Sequence, residues 1–312
     1  MFSIVCPVYN KRLLLRATVE SALAQSFAGF ELILIDDGST DGSLEVVSNI
    51  ADPRLRVLRQ ANCGASAARN AGMAAARYDW IAFLDADDLW RPAHLEELDR
   101  IRQRHPEAGL IGTAFVRGKA PVTEGEGEIR LVPYFEEVGL GRSPFWTSSA
   151  AVRRDVARAV GGFNDDPIGQ DSEYWARVAF DYPVAASTRV TAMYRLGTGG
   201  IIDQARYRWR GRAIRSTADI SSAAALVSER YAAQPPKLRR QLELYLDRYV
   251  TWCLEGSVGI GDVATVRKLP PLYRTAPSAE ERWLMRVAKL PTPAARAAFK
   301  VWLAAKSVLR RL

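Results

Sequence analysis

The chain has 312 residues, of which 48% are hydrophobic and 25% charged. That is an ordinary globular balance with length for one large domain or two smaller ones, and it excludes wholesale disorder. The net charge of +8 is local: Arg282, Arg286, Lys289, Arg296, Lys300, Lys306, Arg310 and Arg311 are accompanied by no acidic residue to the end of the chain, so the basicity is not a general nucleic-acid signature.

The first hundred residues alternate strand and helix. Phe2 to Val8 reads as a short apolar strand, and Asn10 as the cap of a helix with apolar positions at Leu14, Val19 and Leu23. Met1 to Val5 enter this strand with no leader-peptide pattern. Phe30 to Ile35 is a continuous apolar strand of the kind buried on both faces of a parallel sheet. A short helix is predicted from Gly42 to Ile50, a strand from Leu55 to Leu58, an Ala-rich helix from Gly64 to Arg77 and a strand from Trp80 to Leu84. Pro92 opens a helix towards Arg104. This βαβαβαβ order predicts a mostly parallel sheet with right-handed crossovers.

Further on, Leu110 to Val116 and Trp146 to Val152 read as strands around a loop-rich stretch, Gly118 to Gly141. Ser172 to Phe180 reads as a helix and Ala185 to Tyr194 as a strand. From Arg206 the pattern is all-helical, with breaks at Gln234-Pro235-Pro236, Leu269-Pro270-Pro271 and Pro291-Thr292-Pro293. The expected organisation is an α/β domain over residues 1–200, with halves 1–104 and 105–200, and a helical extension over 201–312. No apolar run reaches the roughly eighteen residues of a membrane-spanning helix. Cys6, Cys63 and Cys253 lack paired spacing and read as reduced thiols of a cytoplasmic protein.

Two aspartate clusters follow apolar strands: Asp36-Asp37-Gly38-Ser39-Thr40-Asp41 and Asp85-Ala86-Asp87-Asp88. Carboxylates at the carboxyl ends of buried parallel strands fall where open α/β sheets bind ligands. The first cluster also reads as a turn with a helix cap. In the second, residues two apart in extended chain point the same way, so Asp85 and Asp87 can share one site. Converging carboxylates repel one another and a bare phosphate, which makes Mg²⁺ or Mn²⁺ the natural bridge to a diphosphate; taken alone, the triplet reads more readily as a solvated turn. Tyr9, at the tip of the first strand, offers a ring face to a base or simply packs. Arg69 follows small residues that let its helix lie close to the sheet, and a guanidinium suits a phosphate. His94 and His105 read as solvated surface.

Taken together, Ser3-Ile4-Val5-Cys6-Pro7-Val8-Tyr9-Asn10, Asp36-Asp37-Gly38-Ser39-Thr40-Asp41, Arg69-Asn70-Ala71-Gly72 and Asp85-Ala86-Asp87-Asp88 resemble the family 2 glycosyltransferases, inverting enzymes of the GT-A fold. The second half is similar at Thr147-Ser148-Ser149, Gly161-Gly162-Phe163-Asn164 and Gly169-Gln170-Asp171. The resemblance implies an α/β fold with helices flanking a central sheet. It implies a donor site of Pro7, Tyr9 stacked on the base, Asp37 on its imide, Arg69, Asp85 near the ribose, Ala86, and Asp87 holding the cation. Asp171 would be the general base that takes the acceptor's proton. Gln170 departs from the family's usual Glu at that point and removes a charge beside the base. Arg195, before a glycine-rich stretch, reads equally as a group that reaches the diphosphate on loop closure and as a surface arginine before a turn.

The implied activity is inverting transfer from a UDP- or dTDP-sugar to a hydroxyl, in surface polysaccharide or glycolipid assembly. A sugar-1-phosphate nucleotidyltransferase is the competing enzyme class, but it wants a Gly-rich basic loop where this chain has Tyr9-Asn10. A nucleic-acid-binding protein is the non-enzymatic alternative, disfavoured by an acidic cleft and by aromatics that do not interleave with the basic residues. In the tail, Val301, Trp302, Ala305, Val308, Leu309 and Leu312 form one stripe, with Arg296, Lys300, Lys306, Arg310 and Arg311 opposite, interrupted by Phe299 and Leu303. Residues 293–312 are thus the candidate for peripheral contact with an anionic membrane surface, or for docking on protein, and the helical extension for a homodimer contact.

Overall fold

The computed structural model describes residues 1–118, 125–166, 169–198 and 214–309, with side chains up to residue 304. Its contacts divide the chain into two compact units, one of Met1–Glu137 with Ser143–Thr198, the other of Val138–Arg142 with Gly199–Leu312.

The first unit is built on a mixed sheet. β1 (Phe2–Val8) pairs in parallel with β2 (Phe30–Asp36) and with β4 (Trp80–Phe83), and β2 pairs in parallel with β3 (Leu55–Arg59). The remaining strands are β5 (Leu89–Trp90), β6 (Leu110–Arg117), β7 (Ile129–Leu131), β8 (Ala150–Arg153) and β9 (Val184–Tyr194). β8 runs antiparallel between β4 and β6, β6 and β9 are parallel, and β5 and β7 close on β9. The parallel half is therefore contributed by the first hundred residues, as their alternation requires.

Alternation along β1 sends its residues to two faces. Phe2, Ile4, Cys6 and Val8 join Leu15 and Val19 of α1 (Arg12–Leu23) and Leu95, Leu98 and Ile101 of α3 (His94–Arg104) in one core. On the other face lies α2 (Ala65–Ala75), and there a Cβ at Gly72 would sit 2.4 Å from Val5 Cγ1 and 2.7 Å from Ile35 Cδ1. Only a small-residue helix can lie that close to the sheet. The remaining helices of this part are α4 (Tyr134–Gly139), α5 (Arg154–Val160) and α6 (Gln170–Asp181).

Four sequence expectations change. The predicted helix from Gly42 to Ile50 is a single 3₁₀ turn, Glu45–Val47: Arg16 Nη1 donates to the Val46 carbonyl at 2.9 Å, an acceptor that a continuing helix would need. Asn10 does not cap α1, since Lys11 holds that position; Asn10 instead takes φ 51°, which its short amide tolerates. The strand expected from Trp146 shortens to β8, preceded by a 3₁₀ turn at Thr147–Ser149. His94 is fully buried, its ring packed 4.2 Å from the Trp90 ring at a 33° tilt, with Nδ1 2.7 Å from Thr191 Oγ1. It faces the sheet because the apolar stripe of α3 turns with it.

The second unit is helical: α7 (Ser222–Arg230), α8 (Pro236–Gly259), α9 (Val263–Val266), α10 (Ala279–Val287) and α11 (Thr292–Leu309). α8 starts on Pro236, whose missing N–H is not needed in a first turn, and buries Leu242, Tyr245, Leu246, Tyr249, Val250 and Cys253 along one stripe. α11 buries Ala295 and Phe299, while Val301 is 71% exposed. Phe299 therefore does not interrupt an outer basic face. It is the large buried side chain among the described residues of this helix, 1% exposed. The expected stripe positions Ala305, Val308 and Leu309, with Lys306, lie beyond the described side chains, and Arg310, Arg311 and Leu312 outside the described residues. Among the described residues no helix is long and apolar enough to cross a membrane.

Candidate active site

Three loops at the carboxyl ends of β1, β2 and β4 meet. The first two are joined by polar bonds. The Asn10 N–H donates to Ser39 Oγ at 3.2 Å, Thr40 N–H donates to Asn10 Oδ1 at 2.9 Å, and Arg12 N–H donates to Asp41 Oδ2 at 2.9 Å. Asp36 accepts from Ser39 N–H and closes its own turn. Asp37 turns the other way, accepting from Gln60 Nε2 at 2.7 Å and from the N–H groups of Cys63 and Gly64 at 2.9 and 2.8 Å. Those donors fix its carboxylate as an acceptor. Tyr9, by contrast, leaves its ring 49% exposed at the tip of β1.

The turn after β4 is where charge is densest. Asp85 Oδ1 takes a 2.6 Å ion pair from Arg69 Nη2, and Asp87 Oδ2 takes one of the same length from Lys11 Nζ. Ala86 is buried, and its carbonyl accepts from Thr18 Oγ1 at 3.0 Å. Asp88 is wholly buried; it accepts from Ser148 Oγ at 2.5 Å and from Arg195 N–H at 3.2 Å. Burial, then the charges of Asp85 and Asp87, push its carboxyl up to about 8 despite the Ser148 bond. Negative charge at this turn is therefore only partly balanced by the protein.

The Thr147–Ser149 turn connects this cluster to α6. Ser148 Oγ serves both Asp88 and the Asp85 N–H, while Thr147 Oγ1 donates to Asp171 Oδ2 at 3.0 Å. Asp171 sits in the first turn of α6, where its other oxygen accepts from Ser172 N–H. Gln170, one residue earlier, accepts from Ser66 Oγ on α2. Arg69 follows one turn along α2, and although burial works against its charge, Asp85, Asp171 and Asp87 hold the guanidinium above its ordinary value. Asn70 clamps the Phe163 backbone through both its amide atoms, at 2.7 and 2.9 Å. Gly162 must be glycine there, because a Cβ would lie 2.5 Å from Asn70 Oδ1. Glu173 is held by Arg177 in a two-armed pair at 2.7 and 2.9 Å.

Of the residues singled out in the sequence, Arg69, Asp85, Ala86, Asp87 and Asp171 thus come together, with Pro7 and Tyr9 on the adjoining strand tip and Asp37 on the neighbouring loop. Arg195 lies beside them, but its guanidinium is engaged by the Asp87 and Leu14 carbonyls and by Thr18 Oγ1. The sequence does not single out Lys11, or the roles of Thr147, Ser148 and Ser66. Lys11 had a positional signal, as the residue directly after the strand-tip Tyr9-Asn10; the hydroxyls had none, since a serine declares no partner until the chain folds.

Asp85 and Asp87 are hard oxygen donors of the type Mg²⁺ and Mn²⁺ take. Among the described residues no three His, Cys, Asp or Glu side chains form a ready-made metal site.

Comparison with known proteins agrees with the fold. The fold is similar to that of S. aureus TarS 1-349, crystallised with UDP-GlcNAc (TM-score 0.67, 14% identity, 97% of this chain and 92% of that one). It is also similar to the mannosyltransferase PcManGT from Pyrobaculum calidifontis, in complex with GDP-Man and Mn²⁺ (TM-score 0.57, 18% identity, 96% and 87% covered). Over 91 residues the chain is 41% identical to WfaP of Escherichia coli, a UDP-Glc:alpha-D-GlcNAc-diphosphoundecaprenol beta-1,3-glucosyltransferase, covering 29% of this chain and 36% of WfaP. The chain spans about half or less of the length of the curated relatives it matches. The model of glycosyl transferase family 2 matches residues 3–160, just over half of the sequence. The α/β architecture is that of the GT-A transferases, and the chain belongs to glycosyl transferase family 2.

Proposed function

We propose that this glycosyltransferase moves a sugar, with inversion, from a UDP- or dTDP-sugar to a hydroxyl of a saccharide or lipid-linked saccharide. The observation that carries this reading is the Thr147–Ser149 turn, whose adjacent hydroxyls bind Asp171 on one side and Asp88 on the other. A candidate base and the acidic strand-end turn are thereby fixed to one rigid element, as direct displacement demands.

In this reading Tyr9 stacks on the base, Asp37 accepts from its imide, Pro7 and Ala86 line the groove, Asp85 approaches the ribose, and Asp87 holds Mg²⁺ or Mn²⁺. The cation supplies neutralisation of the charge that develops on the leaving diphosphate. Arg69 organises Asp85 and holds positive charge beside Asp171. Asp171 accepts the proton of the attacking hydroxyl, with Thr147 orienting its carboxylate. Gln170 is neutral and bound to Ser66, so it places no second carboxylate beside Asp171. Arg195 steadies the Asp87 carbonyl and, on this reading, reaches the diphosphate only by exchanging those bonds.

The domain scheme of a catalytic part over residues 1–200 and a helical extension over 201–312 is part of the proposal, as is peripheral placement on the cytoplasmic face of a membrane. The exposed cations Arg286, Lys289 and Lys300 support a contact with anionic lipid. Purified protein incubated with a nucleotide-sugar panel, Mn²⁺ and a lipid-linked saccharide is expected to release nucleoside diphosphate and lengthen the acceptor. Release that persists undiminished in excess chelator refutes the cation, and a product of retained anomeric configuration refutes direct displacement.

A further inference from the structure

Lys11 has no part in the mechanism above, yet it occupies its most contested position. Its Nζ lies 2.6 Å from Asp87 Oδ2 and 3.3 Å from the Thr198 carbonyl oxygen. The pair is largely screened from water, with side-chain exposures of 20% for Lys11 and 13% for Asp87. The other cations nearby are engaged elsewhere: Arg69 by Asp85, Arg195 by two carbonyls and a hydroxyl. Among the described residues the Asp87 carboxylate is therefore matched by one ammonium, on the residue that caps α1.

That ammonium is free to move while its backbone is not. Lys11 N–H donates to Ser43 Oγ at 2.8 Å, and its carbonyl accepts from both Leu14 and Leu15. The four-carbon stem carries a compact charge with rotatable donors, unlike the planar fork of arginine. An ammonium on Asp87 Oδ2 and a divalent ion on the same carboxylate repel each other, so the two cations compete for its charge. A diphosphate brings new negative oxygens within reach of the same stem.

We infer that Lys11 is an exchangeable counter-ion for Asp87, a positioning residue that holds the carboxylate until a donor arrives and then transfers its contact to the diphosphate. This rests on the donor reading proposed above. The consequence is a pair of opposed effects: Lys11 weakens binding of the cation alone and strengthens binding of nucleotide with cation.

The test uses the full chain, with Mn²⁺ alone followed by electron paramagnetic resonance and UDP in saturating Mn²⁺ followed by calorimetry. Lys11→Met is expected to bind Mn²⁺ alone about tenfold more tightly and UDP with Mn²⁺ about tenfold more weakly, the scale of one charge-assisted hydrogen bond. Lys11→Arg, which keeps the charge, is expected to bind Mn²⁺ alone as weakly as the parent. Two constants that fall together, or neither changing, would make Lys11 an ordinary structural ion pair and overturn the inference. Parent protein that binds no UDP with Mn²⁺ would overturn the donor reading, and this inference with it.

Discussion

Asp171 and His94 illustrate how much a single side chain depends on its partners. If Asp171 takes the acceptor's proton, Asp171→Asn keeps the Thr147 bond but loses the basic oxygen. Its turnover is expected to fall by about 10²–10⁴-fold with donor affinity unchanged, measured by UDP release beside calorimetric titration. His94 is controlled by burial, which pushes its ring down to about 3 from an ordinary 6.5. Thr191 Oγ1 donates to Thr113 Oγ1 and so accepts from His94 Nδ1, while Nε2 has no partner among the described residues. The folded state therefore binds fewer protons than the unfolded one below pH 6.5. Stability from this group is complete above that pH and is lost as pH falls towards 3, at up to about 1.4 kcal/mol per pH unit. His94→Phe, which retains the packing on Trp90, is expected to flatten the acid limb of urea-midpoint measurements between pH 6.5 and 4.

At the scale of elements, the site depends on how α2 and the Thr147–Ser149 turn are seated. Gly72→Ala drives a methyl into Val5 and Ile35 and is expected to cost about 1–3 kcal/mol by overpacking, read in denaturant melts. Because Arg69 rides on the same helix, the variant should also weaken nucleotide binding. Ser148→Ala is a different kind of change. It leaves buried Asp88 without its hydroxyl donor, for an expected loss of about 1–3 kcal/mol, and the missing bond shifts the Asp88 carboxyl further towards its protonated form. Comparing the two melts against UDP affinity distinguishes damage to packing from damage to the acidic turn.

At the scale of the whole molecule the charge asymmetry matters most. The acidic strand ends lie in the sheet-bearing unit, and the exposed cations Arg286, Lys289, Arg296 and Lys300 in the helical one. If these meet anionic lipid, each cation near the membrane contributes about 1 kcal/mol. The triple variant Arg286→Glu, Lys289→Glu, Lys300→Glu should then lose vesicle co-flotation at low salt while transfer to a water-soluble acceptor continues. Unchanged flotation would leave α11 as a helix that docks on protein through Ala295 and Phe299 and has no lipid role.

The sequence by itself determined the βαβ order, the proline-marked helix boundaries and the placement of Asp37, Asp85 and Asp87 at strand tips. Periodicity and turn chemistry are local, so they are legible within a dozen residues. The family followed from the same segments, because strand-end carboxylates at set spacings carry the resemblance. Only the tertiary structure decided which group answers which: Lys11 on Asp87 across 76 positions, Ser148 on Asp88 across 60, Thr147 on Asp171 across 24. It also turned His94 inward, took Asn10 from the helix cap, cut the helix after Gly42 to one turn and buried Phe299. Each of these depends on the field and volume that distant residues create around a side chain, and that environment comes into being only when the sheet assembles.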